Sequence, residues 1–197
     1  MRKLLHLLAF CWLFCAPLQA QSVNPLLLPL TVDQGLSRGN VQRLYLDREG
    51  FLWIGTSNGL NRFDATRNLL VRSDNHDLTD QSFNQIFEDH QQRLWAASAD
   101  VGLFLLDKSS GKIELVLDLA AQEQLDMPLL LDVQVESADQ LLLALKDEVY
   151  RFYLNSGKLQ KLFSMPTTKD DNGRIRQLWL SGHQLLIATN RGLFALN

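Results

Sequence analysis

Apolar and polar residues alternate along most of this chain in stretches of about five residues, rich in Leu, Ile, Val and aromatics and closed by turn-forming residues. That pattern predicts short, half-buried strands. Asp47 to Gly50 reads as one such turn, because Asp can bond its own backbone and Gly accepts the positive φ of a tight hairpin. Asn58-Gly59, Ser109 to Gly111 and Asn155 to Gly157 mark others. Helical periodicity is not sustained anywhere; a single helical turn within a loop is expected over Leu119 to Leu125.

The strand pattern recurs. Val41 to Thr56 aligns with Phe83 to Ser98 position by position: Leu44 on Ile86, Tyr45 on Phe87, Asp47 on Asp89, Leu52 on Leu94, and Trp53 on Trp95, 42 positions further on. A second shared phrase follows each copy, Gly59 to Asp64 and Gly102 to Asp107. Weaker copies run from Val133 to Leu145, continuing into Val149 to Phe152, and from Ile175 to Thr189, ending in Arg191 to Phe194; Leu142 and Leu186 take the tryptophan position. A repeat of roughly 40 to 50 residues holding about four strands is the signature of a propeller blade. The expected fold is therefore all-β, built of β-propeller blades of four antiparallel strands over approximately 31–72, 73–118, 119–163 and 164–197. Trp53 and Trp95 are expected in the core, their apolar faces between blades and their N–H groups on local acceptors. Four blades are fewer than the roughly six to eight expected of such a ring, although smaller closed propellers exist. The chain accordingly reads as the N-terminal part of a larger propeller.

Residues 1–20 stand outside the repeat and have the layout of a secretory signal peptide: Arg2 and Lys3, an apolar run from Leu4 to Phe14, then Pro17 and the small residue Ala20, after which cleavage is expected. The run is too short to cross a bilayer, which takes about 20 residues. Both cysteines, Cys11 and Cys15, fall inside it, so the mature chain is expected to lack disulfides, thiol nucleophiles and thiolate-held metals. The formal net charge of -3 supplies no basic patch for a phosphate backbone, which argues against nucleic-acid binding.

Asp33 to Val41, followed by Leu46 to Asp64, resembles the two-component regulator propeller repeat. In that family the phrase D-x-x-G-x-L-W-I-G-T-x-x-G-L closes each blade, and Asp47 to Leu60 carries it complete. The second copy keeps Trp95 but has Ala97-Ser98 for the Gly-Thr pair, and the later copies lose the tryptophan. The resemblance implies the exported, periplasmic ligand-sensing region of a bacterial receptor anchored in the inner membrane. Its missing C-terminal blades would lead to a membrane helix and a histidine kinase or diguanylate cyclase output. The implied partners are those absent segments and a small ligand, for which polysaccharide-sensing relatives suggest carbohydrates. A passive interaction scaffold and an exported propeller enzyme acting on glycans are the alternatives.

The densest polar cluster, Ser73 to Asp77 with Asp80 behind it, has carboxylates and His76 but lacks the order of a calcium loop, and is expected to be a solvated connection between blades. His90 and His183 are expected in exposed turns, and Lys169 to Gly173 as another turn. No G-x-S-x-G elbow, H-E-x-x-H motif or phosphate-binding glycine loop occurs. The sequence thus singles out no catalytic, cofactor-binding or metal-binding residue and no ligand-binding position. The expectation is a non-enzymatic module without a cofactor.

Overall fold

The computed structural model describes residues 29–196 except 75, 79, 124, 126–128 and 167–172. The expected signal peptide and both cysteines lie outside the described residues, as do Asn75 of the polar cluster and Lys169 to Asn172.

After a single 3-10 turn at Val32–Gln34, the described chain forms four antiparallel sheets, each a meander in sequence order. The first contains β1 (Val41–Leu46), β2 (Leu52–Thr56), β3 (Gly59–Phe63) and β4 (Asn68–Leu70). The second contains β5 (Phe83–Glu88), β6 (Leu94–Ser98), β7 (Gly102–Asp107) and β8 (Lys112–Asp118). The third contains β9 (Leu130–Ser137), β10 (Gln140–Leu145), β11 (Glu148–Tyr153) and β12 (Lys158–Ser164). The fourth has three described strands, β13 (Ile175–Ser181), β14 (Gln184–Thr189) and β15 (Gly192–Leu196). This is the β-propeller architecture expected from the repeat. The third copy begins earlier than its pattern suggested, since β9 starts at Leu130 rather than Val133. No helix is formed by the described residues between Leu119 and Leu125, which make two successive hydrogen-bonded turns, Gln122 N–H to Leu119 O and Leu125 N–H to Gln122 O.

The four sheets stack face to face. Trp53 and Leu60 of the first pack on Ile86, Leu94, Ala96 and Phe104 of the second. Ala97 and Leu103 of the second meet Val133, Leu141, Leu143 and Phe152 of the third. Leu142, Ala144 and Val149 of the third meet Leu178, Leu185 and Ile187 of the fourth. Each interface joins the far face of one sheet to the near face of the next. The first strand of each sheet is innermost, with β1 against β5 and β9 against β13. No comparable contact joins the fourth sheet to the first, so the described residues form an open arc.

The family phrase has a local physical basis. Asp47 ends β1 and its Oδ1 accepts the N–H groups of Glu49 and Phe51, fixing a turn in which Gly50 has φ 89. Its Oδ2 accepts the Trp53 indole N–H at 2.7 Å, so the buried ring has the local acceptor it needs. Asp89 does the same for Trp95 at 2.8 Å, while Gln92 adopts the positive φ with no glycine. Gly55 follows Trp53 because a Cβ there would stand 2.4 Å from the Phe83 carbonyl oxygen of the next sheet.

Candidate functional site

A polar break interrupts the alternation of each innermost strand at one equivalent place. Register shifts fall between Val41 and Arg43, Phe83 and Gln85, Leu130 and Asp132, and Ile175 and Gln177. The extra residue of such a bulge re-aims its neighbour, a device that often positions a side chain at a site. Here it directs Arg43, Gln85, Asp132, Arg176 and Gln177 to a cleft of about 430 Å³. The cleft is lined from all four innermost strands, and Gln134 completes its polar wall. Since β1, β5, β9 and β13 all reach it, the cleft lies along the arc's central axis.

Two of these side chains serve the scaffold. Gln85 accepts the Val133 N–H through Oε1 at 3.1 Å and donates to the Asp132 carboxylate at 2.5 Å. Asp132 accepts the buried Leu178 N–H at 2.6 Å. The side chain at this position thus ties the second sheet to the innermost strand of the third, and the third to that of the fourth. By contrast, no hydrogen bond to a described residue engages the side chains of Arg43, Gln134, Arg176 or Gln177, and the first, third and fourth are exposed. A second cleft of about 320 Å³ adjoins through Arg176 and adds Lys146, Arg174 and Asn190. The axial cleft therefore presents guanidinium groups, which match carboxylate or sulfate oxygens, beside amides that can bond hydroxyls.

The polar cluster before β5 disperses. Asp74 accepts from Lys112 at 2.5 Å, and the His76 ring stands edge-on to Phe104 with centroids 5.6 Å apart. Ser37, Asn58, Arg72, His76 and Asp77 surround a separate cavity of about 410 Å³. Among the described residues no three His, Cys, Asp or Glu side chains come together as a metal site. His90 and His183 are exposed in the β5–β6 and β13–β14 turns. The axial residues were not marked in the sequence, although it held a signal for them. Gln42-Arg43, Asn84-Gln85 and Arg176-Gln177 each place two polar residues in succession within an alternating strand.

Residues 35–58 match the family model of the two component regulator propeller. No curated protein matches the chain. Among solved structures it is similar to the extracellular domain of BT4673 from B. thetaiotaomicron, described as a hybrid two component system, with a TM-score of 0.63 and 17% identity over 80% of this chain and 21% of that one. The extracellular domain of BT3049, a hybrid two component system of the same organism, aligns at a TM-score of 0.51 and 18% identity over 86% of this chain and 30% of that one. Unrelated propellers share the fold too: virginiamycin B lyase from Staphylococcus aureus aligns at a TM-score of 0.55 and 14% identity, over 79% of this chain and 54% of that one. The chain thus spans less than a third of these two extracellular domains. It is a β-propeller that carries a two-component regulator propeller repeat and is similar in fold to the extracellular domains of hybrid two component systems.

Proposed function

We propose that this chain is the exported, periplasmic ligand-sensing region of a bacterial signal-transduction receptor, and that its ligand occupies the axial cleft. One observation carries the reading: four sheets supply a single cleft whose Arg43, Gln134, Arg176 and Gln177 side chains are not spent on the fold. The wall is polar and its described cations outnumber its carboxylates, the one carboxylate, Asp132, being held by Gln85 and the Leu178 N–H. A small carbohydrate bearing a carboxylate or sulfate group fits that chemistry. Its hydroxyls would meet the amides and its anion the guanidinium groups. Binding rather than turnover is the proposed activity. Export would leave Gln21 as the first residue of the mature chain, which intact-mass measurement reads directly.

Titration calorimetry with matched neutral and acidic oligosaccharides tests the reading. The acidic series should bind, and Arg176→Ala should weaken it by roughly 10-fold or more, the value of one charge-assisted hydrogen bond. Binding unaffected by Arg43→Ala and Arg176→Ala, or none at millimolar concentration, would sink the cleft assignment. Steady release of shortened product in the same cell would favour a glycan-cleaving enzyme instead.

A further inference from the structure

Three positions recur at every junction between sheets. One is the first residue of the turn after a sheet's second strand; the others stand just before the next sheet's first strand and in its bulge. Between the first and second sheets they are Ser57, Ser82 and Asn84, and between the second and third Ala99, Leu129 and Leu131. Between the third and fourth they are Lys146, Arg174 and Arg176. Two junctions are thus built with no charge at these positions, so the three cations of the third are not a requirement of the fold.

The backbone that carries them is fixed. The Ile175 N–H donates to the Lys146 carbonyl at 2.8 Å across the junction, the Arg174 N–H donates to Asn190 Oδ1 at 2.8 Å, and the Asn190 N–H donates to the Arg174 carbonyl at 3.0 Å. Lys146, Arg174 and Arg176 line one cleft of about 320 Å³ with Gly173 and Asn190, and no carboxylate stands among its described lining. All three cations are exposed, and none makes an ion pair or a side-chain hydrogen bond with a described residue. Like charges lining one small cleft repel one another, and an anion among them is attracted by each. The turn itself departs from the repeat. In the other sheets Gly59, Gly102 or Gly192 takes a positive φ beside it, whereas the third has Glu148 at that place and the left-handed conformation, φ 46, falls on Lys146. Backbone strain of this kind concentrates at binding sites.

We propose that Lys146, Arg174 and Arg176 form an oxyanion subsite for a sulfate or phosphate ester group of the ligand. The inference rests on the axial cleft being the ligand site, because Arg176 lines both clefts and joins the subsite to it. What it adds is the class of anion. A carboxylate offers two oxygens and one charge, which a single guanidinium satisfies. A tetrahedral ester presents three free oxygens, and a phosphate ester up to two charges, to donors arriving from two sheets. The sugar ring bearing the ester would lie in the axial cleft against Gln134 and Gln177. Both walls of the subsite, the β10–β11 turn and the start of β13, belong to a junction already packed within the arc.

Titration of the purified chain with inorganic sulfate, inorganic phosphate and chloride at matched ionic strength, followed by amide NMR shifts, probes the subsite alone. Sulfate and phosphate are expected to bind where chloride does not. Lys146→Gln and Arg174→Gln should each weaken them by roughly 10-fold, while Lys158→Gln, an equal loss of charge on β12, should not. Lys146→Asn should lose the same affinity yet keep or raise the urea midpoint, because asparagine tolerates the left-handed backbone; this separates lost binding from lost folding. A hexose sulfate, the matching hexose phosphate and the matching uronate then identify the anion. One of the esters should bind more tightly than the uronate, and its advantage should vanish in Arg174→Gln. A uronate bound as tightly as both esters overturns the proposal. So does the absence of inorganic anion binding, or anion binding indifferent to Lys146 and Arg174, even where an acidic sugar still binds through Arg43. Inorganic anions held by Lys146 and Arg174 with no sugar bound would instead uphold the oxyanion subsite and overturn the axial sugar site.

Discussion

Asp47 and Asp89 each close a hairpin and receive an indole N–H, so two turns depend on their side-chain oxygens as acceptors. Burial pushes the Asp89 carboxyl up, but hydrogen bonds from Trp95, Arg93 and the Arg93 and Gln91 backbones outweigh it and hold it below the usual carboxylate value. A carboxylate depressed in the folded state contributes its full stabilisation above its unfolded pKa, and loses it as pH falls through the folded one. Asp89→Asn should therefore flatten the acid limb of the stability curve below about pH 4, where an ordinary aspartate titrates. Asp89→Ala should cost about 3 kcal/mol at neutral pH, because the buried Trp95 N–H and two backbone N–H groups lose their acceptor. Urea titrations of both variants between pH 3 and 7, read on tryptophan fluorescence, separate the two effects. The same pairing explains why this part of the chain was legible beforehand. The Asp, the turn and the Trp lie within seven consecutive residues, so one short phrase carries both the hairpin and the acceptor.

Between elements the information is spread over distances that no local pattern reveals. Gln85 and Asp132 are bonded across two sheets; the bulge at Gln85 appears in sequence only as the doubled polar pair Asn84-Gln85, and the one at Asp132 only as a lone Asp after an apolar run. The start of β9 was obscured for a related reason: Leu129, Leu130 and Leu131 form a continuous apolar run with no alternation to set a register. The open cleft side chains were equally illegible, because whether a Gln or Arg is engaged depends on the following sheet. Asp132→Ala should destabilise by about 2 kcal/mol, since it strands the buried Leu178 N–H. Gln85→Ala should cost about 1 kcal/mol, and the pair should be non-additive because each partner orients the other. A double-mutant cycle by denaturant unfolding measures that coupling, and strict additivity would show that the two staples act separately. At the β6–β7 turn, Gly102 has φ 139 and a Cβ would stand 2.0 Å from the Leu117 carbonyl oxygen, so Gly102→Ala should cost about 3 kcal/mol. The same denaturant titrations read this loss.

For the whole molecule, an open arc differs from a closed ring in where its stability resides. Sheets that contact only their neighbours behave as a nearly one-dimensional array, so end units lose one stabilising interface each. The second and third sheets are packed on both faces, whereas the fourth leaves Trp179 and Leu193 in solvent. Opening free energies should rank accordingly, because local unfolding begins where the fewest apolar contacts must be broken. Hydrogen exchange followed by mass spectrometry should find β6, β7 and β10 slowest in the dilute monomer and β14 and β15 among the fastest. Equal protection of all four sheets at every dilution would contradict the nearest-neighbour account itself, because a ring closed within one chain gives each sheet two packed faces and leaves no end from which to fray.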